Sequence, residues 1–140
     1  MVLRDCAGMP YTKRIEIRWR DMDGFGHVNN AVYLTYLEEA RDQFLTELLG
    51  HDTVGRIVAR RVDIEFLTGL EQEDDEVEVE LEVIRIGSSS LTTSERIIAV
   101  SDRRVAARSQ SVMVHTDEGR ANAAPLPEEA RKLLEGVAAA

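Results

Sequence analysis

Cysteine is nearly absent from this chain of 140 residues, because Cys6 is the only one. A single thiol cannot form an internal disulfide or a cysteine-based metal cluster, and its place near the N-terminus argues against a nucleophile. His27, His51 and His115 show neither HxH nor HExxH spacing, so neither a metal nor another cofactor is predicted. The chain also lacks a GxSxG motif, which excludes a serine nucleophile elbow.

Long apolar runs are missing too. No stretch approaches the roughly twenty apolar residues that cross a membrane, and the N-terminal residues MVLRDCAGMP lack the apolar core of a signal peptide. We therefore expect a cytoplasmic protein without a membrane segment. Acidic residues outnumber basic ones by 26 to 17, and the net charge of −9 disfavours nucleic acid and anionic membrane surfaces as partners.

Proline is rare as well, with three residues, whereas 44% of the chain is hydrophobic, so disorder over most of its length is not expected. This length suits one compact module. We predict a flexible tail over residues 1–10 and a single domain over residues 11–140.

Hydrophobic periodicity is abundant. Apolar residues recur every three or four positions in one early segment, which predicts an amphipathic helix from about residue 29 to about residue 49. Its apolar face would carry Val32, Tyr33, Tyr36, Leu37, Ala40, Phe44, Leu48 and Leu49. Its solvated face would carry Glu38, Glu39, Arg41, Asp42, Gln43 and Glu47. A short closing helix is predicted within residues 125–140, with proline at its first turn.

The remaining segments alternate at period two and predict strands. They cover residues 11–19, 56–67, 77–86, 91–100 and 105–115. In the third of them glutamates alternate with valine and leucine, which is typical of a strand with one solvated face and not of an acidic binding surface. Short connections join the last three strands, as in an antiparallel meander.

Five strands and one long helix predict an α+β fold in which the helix lies across one face of the sheet. One helix cannot cover a twisted sheet completely, and the outer strands would leave unpaired edges. We therefore expect the chain to associate with copies of itself, as a homodimer or a homotetramer.

The segment in front of the long helix is the candidate functional site. Residues 20–41 read RDMDGFGHVNNAVYLTYLEEAR. A helix start carries free backbone amides and a partial positive charge, so it can stabilise an oxyanion. Gly24 and Gly26 permit a tight turn that could fold the carboxylate of Asp23 towards the amides near Asn30. A carboxylate beside such amides suits acyl transfer.

The surrounding residues leave alternatives open. Asp23 could be only a turn residue, since aspartate is favoured in turns for local hydrogen bonding. Asp21 competes with it, and we interpret Asp21 as structural. His27 is either a general base or a turn or interface histidine. Glu38 is either solvated or a supporting carboxylate that faces a neighbouring subunit.

Over nearly its full length the chain resembles the hotdog-fold thioesterases, specifically the branch of 4-hydroxybenzoyl-CoA thioesterase and the short bacterial acyl-CoA thioesterases. The residues that match the aspartate loop and helix of that family are Asp21, Asp23, Gly26, Asn30, Tyr33, Glu38, Ala40 and Arg41. The resemblance implies a five-stranded antiparallel sheet wrapped around one long central helix, with a short C-terminal helix. It also implies hydrolysis of an acyl-CoA thioester at a dimer interface.

The same resemblance assigns roles to residues. Asp23 would be the catalytic carboxylate, either as nucleophile on the thioester carbonyl or as base for a water. The backbone amide near Asn30 would bind the thioester oxygen, and His27 and Glu38 are further catalytic candidates. Gly26 and Tyr33 would contact the substrate. Many family members carry histidine where this chain has Asn30, while plant acyl-carrier-protein thioesterases share a similar HVNN stretch.

A second match is RIGSSSLT at residues 85–92. The resemblance implies that Arg85, Gly87, Ser88 and Ser89 bind the nucleotide end of the thioester. Guanidinium groups suit phosphates, and short turn residues expose backbone amides to them.

Several functional alternatives follow from these residues. An acyl-carrier-protein thioesterase would favour a basic docking surface, which the acidity of this chain disfavours. A hotdog-fold hydratase requires a D-x-N-x-x-H pattern, which the spacing of Asp21, Asp23 and His27 does not provide. A non-enzymatic acyl-CoA binding or sensing module would need no catalytic carboxylate. The acyl group is not set by the sequence; Phe25, Tyr36 and Phe66 are candidate wall residues.

Overall fold

The computed structural model describes residues 9–139. Residues 1–8 of the predicted tail, Cys6 among them, lie outside the described residues. The helices are α1 (Asn30–Leu49), α2 (His51–Val54) and α3 (Glu128–Val137). The strands are β1 (Tyr11–Glu16), β2 (Ile57–Phe66), β3 (Glu76–Ile86), β4 (Ser90–Ala99) and β5 (Val105–His115).

Within the described residues these strands form one antiparallel sheet in the order β1-β3-β4-β5-β2. Consecutive strands β3, β4 and β5 are neighbours, which confirms the predicted meander. The first strand ends at Glu16 and not at residue 19, so that part of the prediction is wrong. The Ile17 amide still donates to the Asp75 carbonyl (2.8 Å), just before β3, and a 3-10 turn at Trp19–Asp21 then redirects the chain.

The long helix lies against one face of the sheet, as predicted. Near its start, Tyr33, Tyr36, Leu37 and Ala40 pack with buried residues of β1, β3, β4 and β5. Near its end, Phe44 and other apolar residues pack with β3, β4, β5 and α3. Each large side chain buried in this way contributes about 1.5–3 kcal/mol. The arrangement confirms the α+β fold with a central helix and a short C-terminal helix.

Strand β3 has the solvated face that its alternation predicts. Its valines and Leu81 are buried, while the glutamates between them lie on the outer face. These glutamates pair with arginines of neighbouring segments: Glu78 with Arg103 (2.7 Å), and Glu80 with Arg96. Two glutamates of the acidic run therefore form ion pairs on the outer face of the sheet.

Arg41 departs from the prediction, because it is buried and not on the solvated face of α1. Its side chain is 5% exposed and its Nη1 lies 3.4 Å from Glu95 Oε1, whose side chain is fully buried. Arg41 also donates to Ser111 Oγ (3.0 Å), while Thr93 and Ser109 donate to Glu95 (2.7 and 2.8 Å). A charged residue can face a protein interior when an opposite charge and hydroxyl groups meet it there.

Strand β2 is an edge of the sheet, hydrogen-bonded to β5 on one side only within the described residues. Val58 and Phe66, near its two ends, are 39% and 44% exposed. An unpaired edge of ten residues can accept another strand. No helix among residues 9–139 is long and apolar enough to span a membrane.

Candidate active site

The loop in front of α1 is anchored by Asp21. Asp21 is buried, and its Oδ2 accepts hydrogen bonds from the Tyr36 hydroxyl (2.7 Å) and the Arg18 amide (2.9 Å). Its carbonyl accepts from the Asn29 amide at 2.9 Å. These contacts tie both ends of the loop to the helix, in keeping with a structural Asp21. Tyr36 is fully buried, so it belongs to this anchor and not to a substrate wall.

Asp23 is folded back over its own loop. Its Oδ1 accepts from the backbone amides of Phe25 (2.8 Å) and His27 (3.1 Å), and its amide donates to the His27 carbonyl (2.7 Å). Gly26 adopts a φ of +81°, a left-handed conformation that glycine tolerates best. The amides of Phe25 and His27 hold the pKa of the Asp23 carboxyl below its ordinary value. The group is therefore an anion at neutral pH, and Oδ2 accepts no hydrogen bond from residues 9–139.

The start of α1 presents an unused donor. The Asn29 side chain caps the helix by accepting from the Ala31 amide (2.9 Å), and the Val32 amide donates to the Asn29 carbonyl (2.8 Å). The Asn30 amide, by contrast, donates to no acceptor among the described residues. A free N–H at the positive end of a twenty-residue helix suits a negatively charged oxygen.

A cleft of about 390 Å³ joins these groups. It is lined by Asp23, His27, Val28, Asn30, Tyr33, Phe66, Leu67, Thr68 and Gly69. The structure thus brings together four of the predicted site residues, Asp23, His27, Asn30 and Tyr33. Phe66, one of the candidate wall residues, also lines the cleft, and its ring meets Tyr33 edge-to-face with 5.1 Å between centroids. Burial raises the pKa of Tyr33, so its phenol stays neutral.

The His27 ring lies beside the cleft without bonding to the carboxylate. Its Nε2 is 3.8 Å from Glu71 Oε1, and both side chains are about half exposed. A Cβ on Gly69 would lie 3.4 Å from the ring, so the imidazole covers that glycine. The contact between His27 and Asp23 is made by the backbone amide of His27.

The opposite wall of the cleft is held by Arg104, which sequence reasoning missed. Its Nη2 donates to the Gly69 carbonyl (2.8 Å), and its Nε donates to Thr68 Oγ1 (3.3 Å). Two further bonds reach Asp74 (2.9 and 2.7 Å), and they raise the pKa of Arg104 and lower that of Asp74. Arg104 follows a turn in the sequence, and no local pattern connects that turn with residues 68–74.

Glu38 lies elsewhere within one chain. It is exposed on α1 and borders a different cleft, of about 300 Å³. The residues that line it are Glu38, Arg41, Asp42, Leu45, Val54, Ile57, Val58, Ala59 and Met113. This second cleft is beside the first half of β2, whereas the Asp23 cleft is beside its last residue, Phe66. A single chain does not bring Glu38 and Asp23 into one cleft.

The glycine-serine turn is also distant from Asp23 within one chain. Glu76, at the start of β3, pairs with Glu16 of β1, close to the Asp23 loop, whereas Gly87 follows the last residue of β3. Eleven residues of strand at ~3.3 Å each separate the two ends by about 35 Å. Arg85 is exposed at this far end, and Ser88 and Ser89 form the turn into β4.

Gly87 lies close to Ser90. A Cβ at this position would lie 2.6 Å from Ser90 Oγ, and the Gly87 amide donates to the Ser90 carbonyl (2.7 Å).

Among residues 9–139, no group of three or more His, Cys, Asp or Glu side chains has an arrangement that could hold a metal ion.

Comparison with known proteins gives the family. The family model of the thioesterase-like superfamily matches residues 17–134. No match was found among curated proteins.

Solved structures are similar as well. A thioesterase from Thermus thermophilus, complexed with coenzyme A and Zn, is 33% identical, with 91% of this chain and 93% of that chain covered and a TM-score of 0.82. A 1,4-dihydroxy-2-naphthoyl-CoA thioesterase from Synechocystis is 20% identical, with coverage of 89% and 95% and a TM-score of 0.76. A Staphylococcus aureus protein in complex with CoA is 13% identical, with coverage of 91% and 83% and a TM-score of 0.82. The last two show the fold alone. The match over residues 17–134, together with the Thermus thioesterase, shows that this chain belongs to the thioesterase-like superfamily of hotdog-fold thioester hydrolases.

Proposed function

We propose that this protein hydrolyses an acyl-CoA thioester to the free acid and coenzyme A. The observation that carries the proposal is the meeting of an ionised carboxylate, Asp23, and a free helix-start amide, Asn30, in one cleft. The structure of the Thermus thioesterase contains coenzyme A, which supports a CoA thioester as substrate.

The Asn30 amide is the oxyanion donor in this mechanism. The thioester oxygen binds to it, and the negative charge that develops during attack is stabilised by the N–H and by the helix. A donor of this kind contributes about 3 kcal/mol to the transition state. Because the donor belongs to the backbone, the side chain at position 30 does not have to be the histidine found in many relatives.

Asp23 drives the cleavage through its free Oδ2, by one of two routes. In one, Oδ2 attacks the carbonyl carbon, the C–S bond breaks, and water hydrolyses the resulting mixed anhydride. In the other, Asp23 takes a proton from a water that attacks the same carbon, and the proton passes to the leaving thiolate. Both routes give the acid and the thiol, and both lose their first step without the carboxylate.

A homodimer would complete the site. If β2 pairs antiparallel with β2 of a second copy, the Phe66 end of one strand lies beside the Ile57 end of the other. The Asp23 cleft then adjoins the cleft of the partner copy that contains Glu38. Val58 of β2 and Ser90 of β4 both pair with Val114 of β5. The glycine-serine turn, which leads into Ser90, is therefore also at the Ile57 end of the sheet. The turn that binds the nucleotide would thus come from the partner copy.

The runner-up substrate is an acyl-carrier-protein thioester. A carrier protein is acidic, and a net charge of −9 on this chain repels it at long range, which favours free CoA. A binding or sensing module without turnover is the other alternative, but it requires neither an ionised Asp23 nor a free Asn30 amide. A cytoplasmic location stays a prediction from the sequence.

Thiol release from short, medium, long and aromatic acyl-CoA substrates tests the proposal. We expect turnover of at least one class and a much lower rate with the corresponding carrier-protein thioester. Tight binding of acyl-CoA without thiol release would contradict hydrolysis and support a sensing module. Turnover restricted to carrier-protein thioesters would contradict CoA as the substrate.

Subunit mixing tests the shared site. Asp23→Asn removes the carboxylate, and Arg85→Glu reverses the charge at the far turn, so each homodimer is expected to be impaired. Mixed dimers contain one site with Asp23 from one chain and Arg85 from the other. Activity that rises after subunit exchange supports the shared site, whereas activity that stays at the average of the two variants contradicts it.

A further inference from the structure

We infer that Arg131, on α3, is a positioning residue for coenzyme A: it holds two carbonyls of the glycine-serine turn inward and so leaves the Ser88 and Ser89 amides free to bind phosphate. The inference rests on the proposed function. It concerns how the nucleotide end of the thioester is recognised, and it assigns a role to the C-terminal helix.

Arg131 reaches the turn from a well-anchored helix. Leu134, one turn further along α3, is fully buried, and the Arg131 amide donates to the Pro127 carbonyl (2.9 Å). The Arg131 Nη2 donates to the carbonyl of Gly87 (2.7 Å) and to that of Ser88 (3.0 Å). One guanidinium nitrogen therefore fixes two successive peptide groups.

A neighbouring backbone bond fixes the same orientation, because the Leu126 amide also donates to the Ser88 carbonyl (2.9 Å). In a trans peptide the N–H points opposite to the C=O, and the described residues contain no cis peptide bond. The Gly87 and Ser88 carbonyls belong to the same peptide groups as the Ser88 and Ser89 amides. Because both carbonyls are turned towards Arg131, these two amides are turned away from it.

These two amides are free in the part of the chain that the structure describes. Within residues 9–139 neither the Ser88 nor the Ser89 N–H donates a hydrogen bond, whereas the Gly87 amide donates to Ser90. Ser88 is exposed and Ser89 is partly exposed, so a ligand can reach them. Successive free backbone N–H groups with adjacent hydroxyls form the kind of concavity that binds phosphate.

The local charge also favours an anion. Arg131 bonds carbonyls only, and no carboxylate of the described residues lies within 4.0 Å of its guanidinium. Arg85 is exposed just before the turn. Most other arginines of the sheet pair with glutamate or aspartate, as Arg61, Arg96 and Arg108 do. Within residues 9–139 neither arginine forms an ion pair, and two such arginines beside free amides match a phosphate-bearing ligand.

The test compares two substrates with the same acyl group, an acyl-CoA and the acyl-pantetheine thioester that lacks the nucleotide and its phosphates. Steady-state kcat and KM are measured for the wild type, Arg131→Ala and Arg131→Lys. Lys132→Ala is the matched control, because Lys132 is the next residue of the same helix and is exposed. Thermal unfolding of each variant is recorded alongside.

We expect Arg131→Ala to raise KM for acyl-CoA about tenfold, equivalent to ~1.4 kcal/mol of binding, with little change in kcat. Its KM for acyl-pantetheine should stay at the wild-type value. Arg131→Lys keeps the positive charge but should hold the two carbonyls less firmly, so we expect an intermediate KM. This variant also keeps the test decisive if the alanine variant misfolds. Lys132→Ala should match the wild type.

The inference is overturned if Arg131→Ala and Arg131→Lys leave KM for acyl-CoA unchanged. It is also overturned if KM rises equally for both substrates, since that would show a general structural effect. A wild-type protein that hydrolyses neither thioester refutes the proposed function itself. The two failures are therefore distinguishable.

Discussion

The buried ion pair between Arg41 and Glu95 gives a quantitative test of how α1 is held on the sheet. Glu95→Gln keeps the shape of the side chain and an oxygen that can accept from Thr93 or Ser109, but it removes the negative charge. Arg41, which is buried, then has no counter-charge. A guanidinium cannot relieve this by losing its proton.

The expected cost is large. Removing one partner of a buried ion pair destabilises a protein by ~3–5 kcal/mol, because the remaining charge is left uncompensated. That is a considerable part of the roughly 5–15 kcal/mol by which domains of this size are typically stable. The double variant Arg41→Met with Glu95→Gln leaves no buried charge, so it should be more stable than Glu95→Gln alone.

Denaturant unfolding of the wild type, both single variants and the double variant measures the coupling. In this double-mutant cycle, Arg41→Met should lower the free energy of unfolding less, or even raise it, when residue 95 is already glutamine. A loss below about 1 kcal/mol for Glu95→Gln, or additive effects of the two changes, would refute the reasoning about the buried charge.

Three further predictions concern pH and the helix cap. Burial raises the pKa of Tyr11 to about 12. The stability that the neutral phenol contributes is therefore full below the unfolded pKa of about 10 and is lost as pH rises towards the folded pKa. Denaturant unfolding across that range should show a decline in stability that Tyr11→Phe weakens. Arg104 lowers the pKa of Asp74. The stability that this ion pair contributes is therefore present above the unfolded pKa of about 3.9 and is lost as pH falls below it. Asp74→Asn should reduce the acid sensitivity of the protein, measured by thermal unfolding. Asn29→Ala removes the cap of α1 and should cost about 1 kcal/mol, whereas Asn29→Asp should retain most of the stability in the same melting assay.

Local periodicity predicted much of the fold. The 3.6-residue pattern of α1 and the alternation of β3 depend on neighbours a few positions apart, and the structure confirms both. The loop that presents Asp23 was also readable, because aspartate, glycine and a helix start are consecutive in the chain. Its hydrogen bonds to Phe25 and His27 are local ones.

Contacts between residues far apart in the sequence were not predictable from local patterns. Arg41 was placed on the solvated face because it is charged, although it lies four residues after Leu37 and four before Leu45, both of which are buried. Its counter-charge is 54 positions away, and no local pattern joins them. Arg104 shows the same limit, since it holds Gly69 from 35 positions further along.

The role of Asp23 is tested most directly by thiol release from one acyl-CoA with the wild type, Asp23→Asn and Asp117→Asn. Asp117 is the matched control. It is also a loop carboxylate with a lowered pKa, and it accepts a hydrogen bond from the Ala121 backbone amide (3.0 Å). Asp23→Asn should lower kcat by ~10²–10⁴-fold, while Asp117→Asn keeps the wild-type rate. Wild-type turnover by a folded Asp23→Asn variant would contradict the assignment of this carboxylate to the reaction.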